Sequence, residues 1–524
     1  MDPAASEPTV EVAGSAPRRS SARGALTLMV GTLASRVTGL LRSSILTQFF
    51  PAGVSDAFLT AFKVPNLFRE LLAEGALTNS FVPVYRRVAG DERRRLTGAL
   101  LGLLALVNGL LMLIAYLAAP LLARLLIDVD AGNVDVELTT RLIRIVFPFL
   151  PAISFSALAM GILNAEERFL APAWAPVMLN VVTVTLMALF PGQAVILTLA
   201  HVLGGTAQLL VQLPALARNG LLPSARSLWH PALGGVLLLM APFAFTTSGR
   251  QLLNVLASNL VTGLFEGAQN AFTNADLFLS LMLGLFSISP ALAYYSRLSA
   301  HAVDQPESFG PTLTEGLRLI AFLTVPAGLA LAVLAEPAVQ VAFNWRTLFG
   351  PPLDDARLLG SIAATAPLGL AVFPIGMFNL LVRTFYVRRQ VVTPVLVVLG
   401  TLVVQGTLYL LLVEPYGIAG LSWGAVAAAW AQLLVTLTLV ARREGLALPE
   451  LLRGLALVWL AALAAAAGTV GMLLLLGVSG GWSAELLEFT VGAIAFGAIY
   501  AVAGWLLGVS ELRTLVARLT SRGR

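Results

Sequence analysis

The sequence predicts an all-α protein that crosses a membrane many times, and three observations carry this prediction. Hydrophobic residues make up 58% of the 524 residues, and the mean hydropathy is +0.86. Charged residues make up 12%, about half the share of an ordinary soluble protein. The apolar residues are also grouped into stretches of roughly 20, the length that an α-helix needs to cross a bilayer core. So large an apolar surface has to face lipid.

Fourteen such stretches follow one another along the chain, and polar residues interrupt them most between 220 and 300. An even number of spans places both chain ends on the same side of the membrane. The stretches are 25–48, 54–84, 97–123, 139–164, 172–190, 193–217, 235–263, 273–298, 312–335, 357–384, 392–413, 417–441, 454–477 and 486–508.

The charges between these stretches predict the orientation of the chain. If the helices alternate in direction, the arginine clusters fall on one side and nine loop carboxylates on the other. Cytoplasmic loops carry the excess of basic residues, so both termini are expected in the cytoplasm. The arginines are Arg86, Arg87, Arg93, Arg94, Arg95, Arg218, Arg226, Arg388, Arg389, Arg442, Arg443, Arg513, Arg518, Arg522 and Arg524. The carboxylates are Asp128, Asp130, Asp135, Glu137, Glu266, Asp354, Asp355, Glu414 and Glu485.

Several function classes are disfavoured by what the sequence lacks. It contains no cysteine, which excludes disulfides and thiolate metal sites, and its three histidines are scattered. No HExxH, GxSxG or P-loop motif is present, so we expect neither an enzyme nor a cofactor or metal site. The net charge of +5 does not indicate a nucleic-acid partner, because the arginines lie in short clusters between apolar stretches.

Charged residues inside the first two stretches are the most informative residues of the chain. A charge at the bilayer centre costs at least about 2.5 kcal/mol, so it normally faces a cavity or another charge. Arg36 and Arg42 lie in the first stretch, and Ser35 precedes Arg36. At about 100° per residue, the lysine and carboxylates of the second stretch share one stripe of about 40°. The charged residues of the second stretch are Asp56, Lys63, Arg69, Glu70 and Glu74.

These two helices predict a site for an anionic group. Arginine offers forked N–H donors that match the oxygens of a phosphate. The alternative is an internal network of ion pairs that only holds the helices together. For Glu70 and Glu74, simple pairing with Arg69 and Arg42 is equally open.

A second group of polar residues lies in the seventh and eighth stretches. Arg250 and Asp276 would form a cavity-facing charge pair, whereas Glu266 and Asn270 are expected in an external loop. In the sixth stretch, His201 and its neighbour on the same face are interpreted as helix–helix contacts rather than a proton relay. The polar residues are Arg250, Gln251, Asn254, Asn259, Glu266, Asn270, Asn274 and Asp276, with His201 and Gln208 in the sixth stretch.

Motifs between Ala34 and Arg87 are specific enough to suggest a family. They read SRVTGLLR, DAFLTAFKVPNLFR and AEGALTNSFVPVY, and they resemble the signature of the MurJ (MviN) family of lipid II flippases. Four later segments are similar to the same family. They are GILNAEERFLAPAWAPVMLN (161–180), QLPALARNG (212–220), LGLFSI (283–288) and LVRTFYVRRQVVTPV (381–395).

The resemblance implies the fold of the multidrug/oligosaccharidyl-lipid/polysaccharide exporter superfamily, with two six-helix lobes in a V and two further helices. It implies transport of lipid II, an undecaprenyl-pyrophosphate-linked disaccharide pentapeptide, from the inner to the outer leaflet of the bacterial inner membrane for peptidoglycan synthesis. Lipid II, membrane lipid and the cell-wall synthesis machinery are then the expected partners. The corresponding parts are a disordered cytoplasmic tail (1–24), the two lobes (25–217 and 218–441), a lipid-tail groove (442–508) and a cytoplasmic tail (509–524).

The resemblance also implies roles for individual residues. Arg36, Arg42 and Arg69 would bind pyrophosphate, with Ser35 and Lys63 beside them, and Asp56 would gate or pair at the cavity rim. Glu70, Glu74 and Asp276 would act in gating or ion pairing.

Three positions depart from the family pattern. Leu277 stands where many members have a cavity arginine, and Ala257 where some have an acid that helps bind sodium. Gln390 stands where many have aspartate, so a sodium site is not predicted. Arg250 is the candidate for the missing cavity cation.

Other functions remain open at this point. A flippase for another polysaccharide-lipid precursor, of the O-antigen type, has the nearest requirements. A drug/cation antiporter would favour acidic cavity residues, and a membrane glycosyltransferase would need an acidic or metal-binding cluster beside a soluble loop. A purely structural or signalling protein would leave the intramembrane arginines unexplained. Membrane potential, an ion gradient and consumption of the product are equally possible driving forces.

Overall fold

The computed structural model describes residues 19–72, 76–224, 229–350, 355–388, 390, 392–477 and 480–521. Every regular element among these residues is a helix, which confirms the predicted all-α class. Within the described ranges, nine helices are long and apolar enough to cross a membrane, or ten if a pair bent by 48° between Ala356 and Val387 is one span. The count of fourteen spans stays a prediction.

Residues 19–218 form nine helices, and we call this group of helices the first half throughout. The predicted stretch 139–164 is interrupted near Pro148, because proline has no N–H to donate within a helix. The first predicted stretch is longer than expected, since its helix begins at Arg19. The helices are α1 (Arg19–Phe49), α2 (Ala52–Leu72), α3 (Ala76–Arg87), α4 (Asp91–Leu126), α5 (Val136–Val146), α6 (Phe149–Ala165), α7 (Leu170–Leu189), α8 (Ala194–Leu210) and α9 (Leu213–Arg218).

A long connecting helix, α10 (Leu233–Thr262), leads into the second half, which we define as α11 to α17. A single π-helical turn, Gly284–Ile288, joins α11 to α12. The helices of the second half are α11 (Ala268–Leu283), α12 (Ser289–Asp304), α13 (Phe309–Val333), α14 (Ala335–Phe343), α15 (Asp355–Gly369), α16 (Val372–Val387) and α17 (Val392–Ala441).

Helix α17 is a bent element that the sequence predicts as two stretches. Its 50 residues would extend about 75 Å if straight, more than twice the thickness of a bilayer core. At Gly417 the backbone leaves the helical region, with φ 55° and ψ −135°. A positive φ favours glycine, which has no Cβ to clash. The break falls at the boundary predicted between 392–413 and 417–441.

Buried apolar side chains form separate clusters in the two halves. In the first half, Leu142, Val146 and Leu150 lie in a cluster built from α1, α2 and α4 to α8. In the second half, Leu317 and Leu380 lie in a cluster that also receives α18 (Leu448–Leu476) and α19 (Gly481–Leu507). Each half therefore has its own core.

Helix α10 packs against both halves. Leu233 and Val236, in its first turns, pack in a cluster with α3 and α4. Ala257 and Val261, near its end, pack in a different cluster with α17. The helix thus crosses from the first half to the second.

The last helices pack on one side of the second half. Helices α18 and α19 contact each other, α18 contacts α13, and α19 contacts α14. Their outer faces are apolar and exposed, as in Leu475 (89%) and Leu506 (78%), which suits contact with lipid. The segment predicted as a tail forms α20 (Ser510–Ser521), which is joined to α13 by the ion pair between Glu511 Oε1 and Arg318 Nε at 2.8 Å.

Candidate functional site

Asp56 lies in the first turns of α2, fully buried, and caps a helix of the other half. Its Oδ2 accepts a hydrogen bond from the backbone N–H of Gly267 at 2.7 Å, and its Oδ1 accepts one from Asn270 at 2.9 Å. A helix N-terminus carries unpaired N–H groups and the positive end of the helix dipole, so it stabilises a carboxylate there. The structure therefore places Asp56 inside the interface between the halves.

Arg357 stands beside this cap and was not singled out by the sequence pattern. Its side chain is buried, its Nη1 donates to the carbonyl of Phe50 at 3.0 Å, and its charge interacts with Asp56. Two features require glycine at position 267. A Cβ there would collide with the Arg357 side chain, and the backbone has a positive φ of 99°, which favours a residue without a Cβ. The only signal in the sequence is an arginine at the start of an apolar stretch.

Neutral side chains extend the contact between α1 and α11. Thr47 Oγ1 donates to Asn270 Oδ1 at 2.9 Å and accepts from Asn274 Nδ2 at 3.1 Å. Ser43 Oγ donates to Asn274 Oδ1 at 2.9 Å. The prediction that Asn270 lies in an external loop is wrong. The cap by Asp56 starts α11 at Ala268, so Asn270 lies fully buried in its first turn.

Loop residues add further hydrogen bonds at the same end of the interface. The N–H of Gly53 donates to Glu266 Oε1 at 2.8 Å, which agrees with the loop position predicted for Glu266. The N–H of Asp128, between α4 and α5, donates to Thr262 Oγ1 at 2.9 Å. We call this region, formed by residues 43–56 and 128–133 against 262–274, 342–346 and Arg357, the closed end.

Lys63 lies further along α2, where α2, α10 and α11 meet. Its Nζ donates to Gln269 Oε1 at 2.9 Å, and Ser258 Oγ donates to the same oxygen at 3.3 Å. Its charge also interacts with Asp276 and with Asp56. Asp56 and Lys63 thus contact one helix end, as expected for residues on one stripe of α2.

Arg36 and Arg42 carry the positive charge of α1. Arg36 Nη1 donates to the carbonyl of Ser280 at 2.7 Å, and its guanidinium lies against Gly284, where a Cβ would collide with it. Arg42 Nη1 donates to Asn180 Oδ1 at 3.0 Å. Neither guanidinium forms an ion pair with a described residue. An intramembrane arginine without a counter-ion is a candidate ligand for an anion.

Arg69 adds a third guanidinium close to this pair. It is half-buried, its Nε donates to Asn66 Oδ1 at 2.7 Å, and its charge interacts with Arg42. The side chain of Glu70 and the whole of Glu74 lie outside the described residues, so their pairing stays a prediction. Ser35 contributes through its carbonyl, which accepts from Asn180 Nδ2 at 3.0 Å.

Arg250 is exposed and forms no ion pair with any described residue, so the predicted pair with Asp276 is not formed in this structure. On α10 it lies about 40° from Asn254 and about 80° from Ser258 around the helix axis. Ser258 contacts Gln269, which in turn binds Lys63. Ala257 and Val261, which pack in the cluster with α17, lie within about 20° of Arg250 around the same axis, so Arg250 is on the side of α10 that turns toward α17.

His201 has a packing role in this structure. It is buried against the rings of Phe58 and Phe62, with ring centroids 4.6 and 5.2 Å away. Its Nδ1 lies 2.9 Å from the carbonyl of Leu197. Across the described residues, no group of histidines and carboxylates could hold a metal ion.

The opposite end of the molecule is organised differently. Here the charged residues pair within one half, as between Arg93 Nη1 and Glu166 Oε1 at 2.7 Å in the first half. In the second half, Arg297 Nη2 and Glu315 Oε2 are 3.1 Å apart. Arg388 Nη2 lies 2.6 Å from Glu444 Oε2 after α17.

Known proteins of one family are similar to this chain over most of its length. The family model described as "Lipid II flippase MurJ" matches residues 45–493. The lipid II flippase MurJ of Burkholderia cenocepacia is 30% identical over 417 residues, covering 76% of this chain and 80% of its own length. A probable lipid II flippase MurJ of Bdellovibrio bacteriovorus is 32% identical over 425 residues, covering 79% and 80%.

Solved structures show the same fold. One described as "Lipid II flippase MurJ, inward closed conformation" matches with a TM-score of 0.75 and 19% identity, covering 91% of this chain and 98% of its own. An inward-facing multidrug resistance MATE family transporter of the MOP superfamily matches with a TM-score of 0.62 and 16% identity, covering 80% and 98%. The chain belongs to the lipid II flippase MurJ family.

Proposed function

We propose that this chain is a flippase that moves lipid II from the inner to the outer leaflet of the bacterial inner membrane by alternating access. One observation carries the proposal. Arg36 and Arg42 lie on α1, where Arg36 bonds to α11 of the second half and Arg42 to α7 of the first, and no described carboxylate neutralises them. Together with Arg69 they offer forked donors to a pyrophosphate.

The arrangement answers the physical problem of flipping. A diphosphate headgroup cannot cross hydrocarbon without losing its hydration, and losing the hydration of a charged group costs a large free energy. A polar cavity lined by arginines replaces that hydration, and the prenyl chain stays in lipid. The exposed apolar faces of α18 and α19 are the proposed groove for this chain. No bond of the substrate is broken, so the activity is transport and not catalysis.

The direction of access follows from the predicted orientation. If the arginine-rich connections are cytoplasmic, the closed end lies on the outer side of the membrane. The arginines of α1 and α2 would then be reached from the cytoplasm in this conformation. Opening the closed end while the opposite end closes would present the same site to the outer leaflet. Both termini would be cytoplasmic.

Complementation of a bacterial strain depleted of its lipid II flippase tests the proposal. The wild-type chain is expected to restore growth, whereas Arg36→Ala and Arg42→Ala are expected to abolish rescue while reaching the membrane in normal amounts. Arg297→Ala, which removes a charge from an ion pair within one half, is the matched control and should rescue. A wild-type chain that inserts and does not rescue would favour a different polysaccharide-lipid substrate.

The proposed role of Arg250 is tested in the same strain. Arg250→Ala should abolish rescue without lowering expression if Arg250 supplies a cavity cation. Normal growth of that strain would remove Arg250 from the site and leave the roles of Arg36 and Arg42 unchanged.

A further inference from the structure

Arg383 is an intramembrane arginine that the proposed pyrophosphate site does not use. It lies inside α16, one turn before the helix ends, and its side chain is half-buried. Its Nε donates to the carbonyl of Asn379 at 2.9 Å. Among the described residues, its two Nη groups have no hydrogen-bond acceptor and no carboxylate. Such a charge within a membrane protein needs an anionic partner or water.

One tyrosine ring stacks on this guanidinium, and a second tyrosine is close to it on the same helix. The ring centroid of Tyr295 on α12 lies 5.6 Å from the Arg383 Cζ, a distance at which the ring face attracts a cation. Tyr386, one turn along α16, interacts electrostatically with Arg383 and is 48% exposed. Stacking on a ring leaves the edge of the guanidinium, with its paired N–H donors, available for a carboxylate or phosphate.

The position of Arg383 relative to the pyrophosphate site is given by α11 and α12. The guanidinium of Arg36 lies against Gly284, at the start of the π-helical turn. Ser287, in the same turn, accepts a hydrogen bond from Asn379 Nδ2 at 3.0 Å. Tyr295 lies eleven residues beyond Gly284, which is roughly 16 Å along a helix axis. Arg383 is therefore displaced from Arg36 by about this length along that helix axis, in the direction away from the closed end.

We propose that Arg383, backed by Tyr295 and Tyr386, binds a carboxylate of the peptide part of the substrate headgroup. The inference rests on the proposed function, in which pyrophosphate occupies the site of Arg36, Arg42 and Arg69. A linear peptide ends in a carboxylate, and five extended residues span at most about 17 Å. A headgroup held by its pyrophosphate at α1 thus has the reach to place that carboxylate at Arg383.

The competing anion is the phosphate of a membrane lipid. Arg383 is close to the end of its helix, and a long side chain in that position can extend toward the headgroups of the bilayer. The two anions make different predictions, because only the substrate carboxylate can be removed chemically from the ligand. The composition of the bilayer separates them as well.

The test is ligand binding to the full-length protein in nanodiscs of zwitterionic lipid, repeated in nanodiscs that contain anionic lipid. The three probes are lipid II, lipid II with its peptide carboxylates amidated, and undecaprenyl pyrophosphate. Arg383→Ala should weaken lipid II binding about tenfold, as expected for loss of a charge-assisted hydrogen bond. The other two probes should bind Arg383→Ala and wild type equally. Arg388→Ala, on the same helix end and paired with Glu444 in the wild type, is the control and should bind all three normally.

Other variants keep the test decisive. Tyr295→Leu leaves the charge and should weaken lipid II about threefold by loss of the cation–π contact, again without an effect on undecaprenyl pyrophosphate. Arg36→Ala should weaken lipid II and undecaprenyl pyrophosphate alike. Variants are compared only after they elute as monodisperse protein.

Three results would overturn the inference. Equal weakening of all three probes would show that Arg383 acts through the general potential of the cavity. An effect seen only in nanodiscs that contain anionic lipid would assign Arg383 to a bilayer phosphate. Wild-type affinity of Arg383→Ala for lipid II would remove it from the site. If the wild-type chain binds none of the probes, the proposed function itself fails.

Discussion

The two ends of the interface between the halves are held in different ways. At the closed end, Asp56 caps α11 and Thr47 bonds to Asn270, so hydrogen bonds join one half to the other. At the opposite end, Arg93 pairs with Glu166 inside the first half. The contacts at the closed end must break when that end opens, whereas the ion pairs of the opposite end travel with their own half. Conformational change should therefore respond to substitutions at one end and not at the other.

Covalent closure should have the largest effect. The chain has no cysteine, so an introduced pair reacts without background. Gly53→Cys and Glu266→Cys together, joined by a short bis-methanethiosulfonate that forms a disulfide with each thiol and releases sulfinate, should abolish transport of lipid II in proteoliposomes. Gly53 N and Glu266 Oε1 are 2.8 Å apart across the closed end.

The matched control for this crosslink is a pair within one half. Arg93→Cys with Glu166→Cys replaces an ion pair of 2.7 Å, and its crosslinked form should still transport. Equal loss of transport in both crosslinked proteins would show that rigidity in general, and not closure of one end, stops the cycle.

Removal of the helix-capping charge should have the next largest effect. Asp56→Asn keeps the shape of the side chain and loses about 2 kcal/mol of charge-assisted hydrogen bonding, which is more than a tenfold change in the open-to-closed ratio. Spin labels at Asp130 and Phe349, which are both exposed, report the distance across this end. An unchanged distance distribution would contradict a role for Asp56 in closure.

A neutral hydrogen bond should contribute less. Thr47→Val removes the hydroxyl that links Asn270 and Asn274, at a cost of about 1 kcal/mol to the closed state. The same spin-label distances should shift several-fold in population. Thr185→Val is the control, because among the described residues the Thr185 hydroxyl bonds only to the carbonyl of Val181 in its own helix. A shift of equal size in the control would point to altered helix geometry.

The smallest effect is expected at the opposite end. Arg93→Gln breaks a partly exposed ion pair, which contributes less than about 1 kcal/mol to stability. The melting temperature should fall slightly, and the spin-label distances at the closed end should not change. A clear shift in those distances would mean that the two ends are coupled through the first half.

The sequence predicts much of this architecture because hydropathy and loop charge are local properties. The break at Gly417 and the start of α10 near 235 follow from such patterns. The charges of α1 and α2 are also visible locally, since Arg36 and Lys63 interrupt apolar stretches. The family motif around these charges then limits the expected substrate to lipid II.

The closed end is less predictable, because its partners are distant in the chain. Asn270 and Asp56 are more than two hundred residues apart, and no periodicity links them. A polar residue between two apolar stretches is usually a loop residue, which is why Asn270 is misplaced by the pattern. The position of Arg357 is hard to predict for the same reason, because its contact with Gly267 is made only by the tertiary packing.

One consequence of the shared helix α10 concerns elasticity. When the bond between Asp128 and Thr262 at the closed end breaks, the first turns of α10 stay packed with α3 and α4 and its last turns with α17, so its two ends follow different halves. Thirty residues of helix form a rod of about 45 Å, and a rod held at both ends stores relative rotation as curvature. That curvature must be taken up between Val236 and Leu253. The bending stiffness of this middle section then sets how far the halves can rotate before the packing at one end of α10 is disrupted.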